Sequence, residues 1–461
     1  DDDRYSFLLS AELSATPLSW LDLVLRVDSG EIRPGGRVPD YETLELARLA
    51  PFFSDPRVRT TEDRATLTSN GRPIADEAQD SFFVRELYAR GTVLPIDGLF
   101  FSLGRRRADV GRGLVFANYG LGGELALDLR ATHDVPLEVS AQAILPSNGA
   151  SQAMESPLFE VRVAYVVSMA ESIGLFLSAF HDGDDNLAEL FLPMVSEVSV
   201  TTSEKYRFSL HTELSAIAMS SPMSSSGDLF WIGLDGNKLF GDLEISGAAA
   251  IEFGNISTSN PFSEIARVQE LSGVGRDVVL PKDEAIEMSV LAFAVDLEAR
   301  YLVTDSLAVA LSFTCLSGED NALSLDASHG AYGGFIGVGP FVPRTNLFFA
   351  GGMAETASGR HATTSGIDGH GVWAPGARAD WEPVESLSLS LSTTFLSAFS
   401  ASLSSGTFYG VETDLGARWQ PLDWLGVSVE YDWMVPGDFF RDSANVHQFV
   451  SALELSWDTR R

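Results

Sequence analysis

The sequence is short of cysteine, of basic charge and of long apolar runs. A single cysteine, Cys315, in 461 residues excludes a disulfide framework and any site built from several thiolates. Lys and Arg number 31 against 64 Asp and Glu, for a formal charge of −33. That balance argues against nucleic acid as a partner, because phosphate binding needs a clustered basic surface. No uninterrupted apolar stretch reaches the ~18 residues of a transmembrane helix, which excludes a helical bundle in the membrane. The nearest candidate, Val161–Phe180, contains Arg162 and Glu171, alternates on both sides of Ser168–Ser172, and reads as a hairpin. There is also no charged n-region, apolar h-region and cleavage site at the start. Asp1-Asp2-Asp3 reads as a mature N-terminus from which a signal peptide has gone. With 45% hydrophobic and 21% charged residues, the composition is globular or membrane-bound rather than disordered.

What is present is alternation with a period of two. Tyr5, Phe7, Leu9, Ala11 and Leu13 are separated by Ser6, Ser10 and Glu12. Leu125, Leu127 and Leu129 alternate with Glu124, Asp128 and Arg130, and Val427, Val429, Tyr431 and Trp433 with Ser428, Glu430 and Asp432. Successive side chains of a strand point to opposite faces, so each segment has one apolar and one polar face. A turn also recurs. Thr16-Pro17-Leu18-Ser19-Trp20-Leu21 is matched by Gln420-Pro421-Leu422-Asp423-Trp424-Leu425, with looser copies at 94–99, 135–137 and 382–387. Proline lacks an N–H and suits a turn or a strand edge. Between the tight turns lie long polar connections, notably Ser29–Asp80, Gly254–Glu284 and Leu316–Gly371. Within them, 41–53 and 261–271 carry apolar residues at partly helical spacing, and one of these connections is expected to fold over or into the interior.

About nineteen strands are read from 4–16 to 447–459, with 193–202 and 205–219 among them. Strands near ten residues with alternating faces and aromatic ends are the signature of an outer-membrane barrel. The expected fold is all-β, one domain over 1–461: a single antiparallel transmembrane β-barrel of about 18–20 strands with long extracellular loops and short periplasmic turns. Even strand number places both termini on the periplasmic side, so either a strand precedes 4–16 outside the given sequence or the count is off by one further along.

Three stretches carry a family resemblance. Arg85-Glu86-Leu87-Tyr88 is followed after a hairpin by Gly104-Arg105-Arg106-Arg107; Phe180-His181-Asp182-Gly183-Asp184-Asp185 closes a strand; and Gly410–Leu415 precedes Trp433–Phe440 and a final aromatic strand. In order and spacing these resemble the alginate-export family of outer-membrane barrels. The resemblance implies an 18-stranded passive conduit whose arginine-rich lumen passes an acidic polysaccharide, with periplasmic or inner-membrane partners driving the polymer from behind. Two departures favour polymer export in general over alginate in particular. The family's exporter has a longer periplasmic turn where this chain has the tight Gln420–Trp424, and 193–219 adds a hairpin.

Strand parity suggests which residues line the interior. With Leu87, Ala89 and Val93 outward, Glu86, Tyr88 and Arg90 point in; with Phe159 and Val161 outward, Glu160 and Arg162 point in. The same rule places Glu124, Asp128 and Arg130 inside, and also Glu412, Asp414 and Arg418. Arg85, Arg105 and Arg107 share the parity of lipid-facing residues. Either a bulge at Gly104 turns them inward, or they sit at headgroup level against lipopolysaccharide phosphates. Arg105, Arg106, Arg107 and Arg112 form the densest positive patch. A ring of arginines is a route to anion selectivity, and the alternative is an internal ion-pair ladder with Glu86, Glu124, Asp128 and Glu160.

Enzyme readings find no support in motif. The seven histidines are scattered without metal-ligand spacing, and no nucleophile elbow, P-loop or dinucleotide fingerprint stands out. Asp182, Asp184 and Asp185 beside His181 could hold a divalent cation through oxygen, or form a solvated loop. Cys315 reads as a packing residue. The function expected is passive export of an anionic polysaccharide, without catalysis, cofactor or structural metal. The expected partners are that polymer, outer-membrane lipid and lipopolysaccharide, and periplasmic export or envelope proteins. The alternatives are a general diffusion porin for small solutes and a non-conducting barrel that anchors an envelope complex.

Overall fold

The computed structural model describes residues 3–29, 82–94, 96–148, 151–152, 156–168, 170–183, 187, 225–259, 285–319, 329–338, 344–348, 363–364, 369–400, 406–439 and 445–458. Among them, seventeen strands form one closed sheet. They are β1 (Asp3–Leu18), β2 (Leu21–Ser29), β3 (Phe82–Thr92), β4 (Leu99–Val110), β5 (Phe116–Asp128), β6 (Leu137–Asn148), β7 (Leu158–Ser168) and β8 (Glu171–Asp182). There follow β9 (Ser225–Phe240), β10 (Leu243–Ser259), β11 (Ala285–Thr304), β12 (Leu307–Leu316), β13 (Val372–Val384), β14 (Leu387–Ser397), β15 (Phe408–Leu422), β16 (Leu425–Pro436) and β17 (Val446–Asp458). Each pairs antiparallel with the next, as the expected all-β barrel requires.

The strand number corrects the expectation of 18–20. β8 and β9 pair directly, from Asp182↔Gly227 to Ser172↔Asn237, which leaves no place between them for two further wall strands. The expected strands at 193–202 and 205–219 lie outside the described residues. With an odd number of strands, the first and last run in the same direction, so the ring closes by a parallel pair. β1 meets β17 from Asp3↔His447 to Ser14↔Asp458. Parallel bonds are slanted and slightly weaker per residue than antiparallel ones.

The outside of the wall is apolar. Leu87, Leu103, Leu125, Leu177, Ile251, Leu291, Leu311 and Leu415 all stand exposed, Leu291 at 68%. Each would cost roughly 1.5–3 kcal/mol in water relative to burial, so a belt of such residues around a closed ring requires lipid. Aromatic residues mark both rims: Trp381, Trp419 and Trp424 at the short-turn end, Trp373, Trp433 and Phe399 at the other. Trp373 and Trp381 are eight residues apart on β13, which at ~3.3 Å per residue and a ~40° tilt spans about 20 Å of depth. A closed barrel with an apolar belt between aromatic girdles is a Gram-negative outer-membrane protein.

Short and long connections segregate as expected. Two residues join strands at 19–20, 169–170, 241–242, 305–306, 385–386 and 423–424, and the long connections all leave the other rim. One short-turn connection departs from the sequence reading. The alternation through 131 predicts a continued strand, but β5 ends at Asp128, whose carboxylate caps a five-residue helix, α1 (Leu129–His133), by accepting from the Arg130 N–H at 2.9 Å. The helical spacings expected over 41–53 and 261–271 lie outside the described residues.

Candidate functional site

Two walls of the interior carry charge, and they are built differently. The first runs over β2–β9. On β3 the register with β2 steps from Glu86↔Arg26 to Val84↔Val27, leaving Arg85 as an extra residue. This bulge puts Arg85 on the polar side together with Glu86, while Val84 and Leu87 stay outside. Arg85 is 3% exposed and donates from Nε to Asp28 Oδ2 at 2.9 Å. Asp28 Oδ1 accepts from Ser10 Oγ at 2.7 Å and from Arg26 Nε at 3.0 Å. The Arg85 guanidinium also lies 4.8 Å from the centre of the Tyr119 ring, a cation–π distance.

Gly104 is not the bulge. The β4–β5 register runs through it unbroken, although its φ of +132° is one that side chains rarely adopt. A Cβ there would lie 2.3 Å from the Leu87 carbonyl oxygen. The β3–β4 ladder ends at Leu87↔Arg105. Beyond it, Arg105 Nε donates to the Arg85 carbonyl at 3.1 Å, and Glu86 Oε1 accepts from the Arg107 N–H at 3.2 Å. Side chains thus take over where the two strands part. Arg107 is half-exposed, 3.7 Å from Asp109.

Further along the wall, Arg106 Nη2 donates to Glu124 Oε2 at 2.9 Å and to Gln142 Oε1 at 3.0 Å, and Gln142 Nε2 donates to Glu160. Arg162 grips Asp235 with two bonds of 2.8 and 2.6 Å. Arg90 lies 3.5 Å from Asp22. Most of these arginines therefore meet a carboxylate on their own or a nearby strand: an ion-pair ladder. Three expected lining residues lie at the ends of the barrel instead. Arg112 is exposed in the β4–β5 turn with φ 53°, Arg130 is held by Asp128 in α1, and Arg418 pairs with Glu454 at 2.7 Å near the short-turn rim. For Arg130 the reason is the capped helix, which removes it and Asp128 from strand alternation.

The second wall is acidic and covered from within. Residues 329–332 pair in parallel with Glu287–Val290 of β11, above the end of β12. The chain then turns into the barrel. The Ile336 N–H donates to Glu252 Oε2 at 2.8 Å on β10, and the Val338 N–H to the Val115 carbonyl at 2.7 Å. Phe335, Ile336 and Val338 pack with Phe176, Phe180, Trp231 and Met288. At 344–348 the same connection reaches β11, β15 and β16. Arg344 binds Asp296 through Nη2 at 2.7 Å and Nε at 3.2 Å, and binds Glu298 through Nη1. Three successive N–H groups, of Asn346, Leu347 and Phe348, then converge on the Glu412 carboxylate at 2.6, 2.6 and 2.9 Å. Asn346 Nδ2 donates to Asp432 Oδ1 at 2.8 Å. A fully buried, unpaired carboxylate would cost several kcal/mol; a nest of main-chain donors supplies the compensation.

Beneath this segment lies a cavity of about 290 Å³ lined by Arg344, Asn346, Arg378, Ser392, Asp414 and Glu430, among others. Asp414 is 6% exposed, accepts from Ser392 Oγ at 3.0 Å, and stands opposite Asp432 in register. Its carboxyl also meets that of Glu412, and Asp432 meets Asp414 and Glu430. Parity locates Glu412 and Asp414 on the inner face but says nothing of Arg344 and Asn346, because nothing local in Leu316–Gly371 marks which loop residues return to the wall. Among the described residues no group of His, Cys, Asp or Glu is arranged to hold a metal ion. Asp182 is committed to Ser225 Oγ and the Leu187 N–H, and His181 to Asp228 at 2.8 Å; Asp184 and Asp185 lie outside the described residues.

No family model matches the chain, and no curated protein matches it. Solved structures do align along most of its length. OpdG of Pseudomonas aeruginosa is 10% identical over 93% of this chain and 83% of its own, with a TM-score of 0.45. OpdK of Pseudomonas aeruginosa, solved with vanillate, is 12% identical over 94% and 84%, with a TM-score of 0.44. A BenF-like porin from Pseudomonas fluorescens is 10% identical over 94% and 86%, with a TM-score of 0.43.

Proposed function

We propose that the protein is a passive outer-membrane channel for small polar solutes. The carrying observation is the inward connection: its 335–338 stretch packs against β8–β11, and its 344–348 stretch is clamped to β11, β15 and β16. The space it leaves against the acidic wall, about 290 Å³, is at the small end of ordinary ligand sites of ~300–1,000 Å³. Export of an anionic polysaccharide, the function implied by the family resemblance, fits less well. A polymer needs an unobstructed bore and spare cations, whereas Arg85, Arg106 and Arg162 are already bound to Asp28, Glu124 and Asp235. Periplasmic export partners lose their rationale with it. The apolar packing of Phe335, Ile336 and Val338 supports a second reading, a closed barrel that anchors an envelope assembly.

Planar-bilayer recording of the purified barrel, with liposome swelling, separates these readings. A small-solute channel gives stable small openings, admits glucose and excludes maltoheptaose. Entry of the heptasaccharide at a comparable rate would restore the polymer reading, and silence in both assays would favour the anchor.

A further inference from the structure

The far end of the β4–β5 hairpin leaves the wall. Its pairing with β3 ends at Leu87↔Arg105 and its pairing with β6 at Gly120↔Pro146, while its own ladder runs on to Val110↔Phe116. Beyond those points it turns in over the inner faces of β6, β7 and β8. The Asp109 carbonyl accepts from Gln142 Nε2 at 3.4 Å, the Gly111 N–H donates to the Glu160 carboxylate, and a Cβ on Gly111 would stand 2.6 Å from the Phe176 ring. The Val115 carbonyl accepts from the Val338 N–H at 2.7 Å, which ties the hairpin to the inward connection. Alternation gives the reason. Ala108, Val110 and Phe116 have the parity of lumen-facing residues, and Arg105, Arg107 and Asp109 that of lipid-facing ones. In the wall those charges would border lipid; turned in, the apolar side is buried and the charged side meets β3 and the lumen. From Ala108 to Gly120 only Asp109 and the turn residue Arg112 are exposed. The Arg107 and Asp109 side chains are 38% and 52% exposed, against 4% for Arg85, 15% for Arg106 and 24% for Arg162. In the half of the barrel nearer the long connections, the lumen side of β7–β16 is closed by apolar packing: Leu158, Trp231, Met288 and Met434 join one buried cluster with Phe335 and Ile336. On β1–β3, by contrast, Glu12, Glu86 and Tyr88 keep partial exposure. The open side of the described interior therefore runs between β1–β3 and the charged face of the hairpin.

We propose that Arg107 and Asp109 are the solute-contacting residues that set the charge preference of the passage. The inference rests on the channel reading and adds to it which groups a passing solute meets. The two side chains lie 3.7 Å apart, a pair that water screens. An anionic group on a solute therefore competes with Asp109 for Arg107, and a cationic group competes with Arg107 for Asp109. Their backbone is held in place. The Arg107 N–H donates to Glu86 Oε1 at 3.2 Å, and the Asp109 carbonyl receives Gln142. The two charges thus stand at fixed positions on an ordered element, as selectivity by side-chain charge requires. Arg85, Arg106 and Arg162 are each bound to a carboxylate and better shielded, so they add little to the field a solute meets.

The test is the reversal potential of the full chain in planar bilayers under a KCl gradient, with thiol labelling of the same protein in detergent. Arg107→Gln should move the anion-to-cation permeability ratio severalfold toward cations, and Asp109→Asn severalfold toward anions. Arg106→Gln, which changes the better shielded neighbour, should leave the ratio near that of wild type. In a Cys315→Ala background, Asp109→Cys should react readily with a cationic methanethiosulfonate, read by mass spectrometry. Ala108→Cys, on the buried side of the hairpin, should not react. Conduction with a ratio that neither Arg107→Gln nor Asp109→Asn moves, or that Arg106→Gln moves as far, would overturn the proposal, as would an unreactive thiol at position 109. Silence of the wild type would instead fail the channel reading, and the assigned role with it, whatever the labelling shows.

Discussion

The arginine wall of β2–β9 and the acidic wall of β11, β15 and β16 solve one problem in opposite ways. Both bring ionised groups into the interior of a barrel. On the first, partners come from an adjacent or next-but-one strand: Arg85 with Asp28, Arg106 with Glu124, Arg162 with Asp235. Such pairs form as soon as the strands zip together, and they leave little net charge. On the second, partners come from a connection that leaves the far rim and returns, bringing Arg344 to Asp296 and Glu298 and three N–H groups to Glu412. The first wall is self-sufficient. The second depends on a folded loop and crowds Glu412, Asp414 and Asp432 on strands β15 and β16, away from the arginines that first draw attention.

Arg344→Ala breaks this comparison most sharply. Asp296 and Glu298 would lose their only described cation, and the segment that narrows the interior would lose its anchor. Breaking a largely buried pair costs on the order of 3 kcal/mol, enough to undock the segment while the wall strands stay paired. Single-channel conductance should rise severalfold with no change in β-sheet content by circular dichroism. Unchanged conductance would mean that the nest at Glu412 holds the segment alone.

Arg85→Ala tests the first wall. Asp28 would stay buried with Ser10 and the half-exposed Arg26 as partners, so the loss should be about 2–3 kcal/mol. Urea midpoints of the barrel refolded into detergent would read it, with conductance close to wild type. A conductance change as large as that of Arg344→Ala would show that the two walls are not separable.

How far the sequence reaches follows the same division. Period-two alternation suffices to place seventeen strands, the short-turn rim and the inward-facing Glu160, Arg162, Glu412 and Asp414, because strand geometry is local. Local geometry fails where the chain departs from it. The bulge that turns Arg85 inward sits on β3, whereas glycine chemistry points to Gly104 on β4. Asp128 ends its strand as a helix cap, which takes Arg130 out of the interior. The parallel closure depends on the count of the whole ring. Arg344 and Asn346 lie in a long polar connection, and nothing in its composition says that Arg344 returns to Asp296, 48 residues earlier in the chain.

The smallest effect expected also marks the boundary of the arginine wall. Arg418 and Glu454 pair at 2.7 Å near the short-turn rim, with side chains 55% and 40% exposed. Water and salt screen such a pair, and holding two long side chains together offsets much of what remains, so exposed pairs contribute about 0–1 kcal/mol. Arg418→Gln should therefore move the urea midpoint barely beyond error and leave conductance as in wild type. Parity alone ranks Arg418 as lining and Arg85 as lipid-facing; the bulge on β3 and the burial of Arg85 reverse that order. A destabilisation matching that of Arg85→Ala would show that charge at the rim, and not its burial in the wall, decides how much each arginine matters.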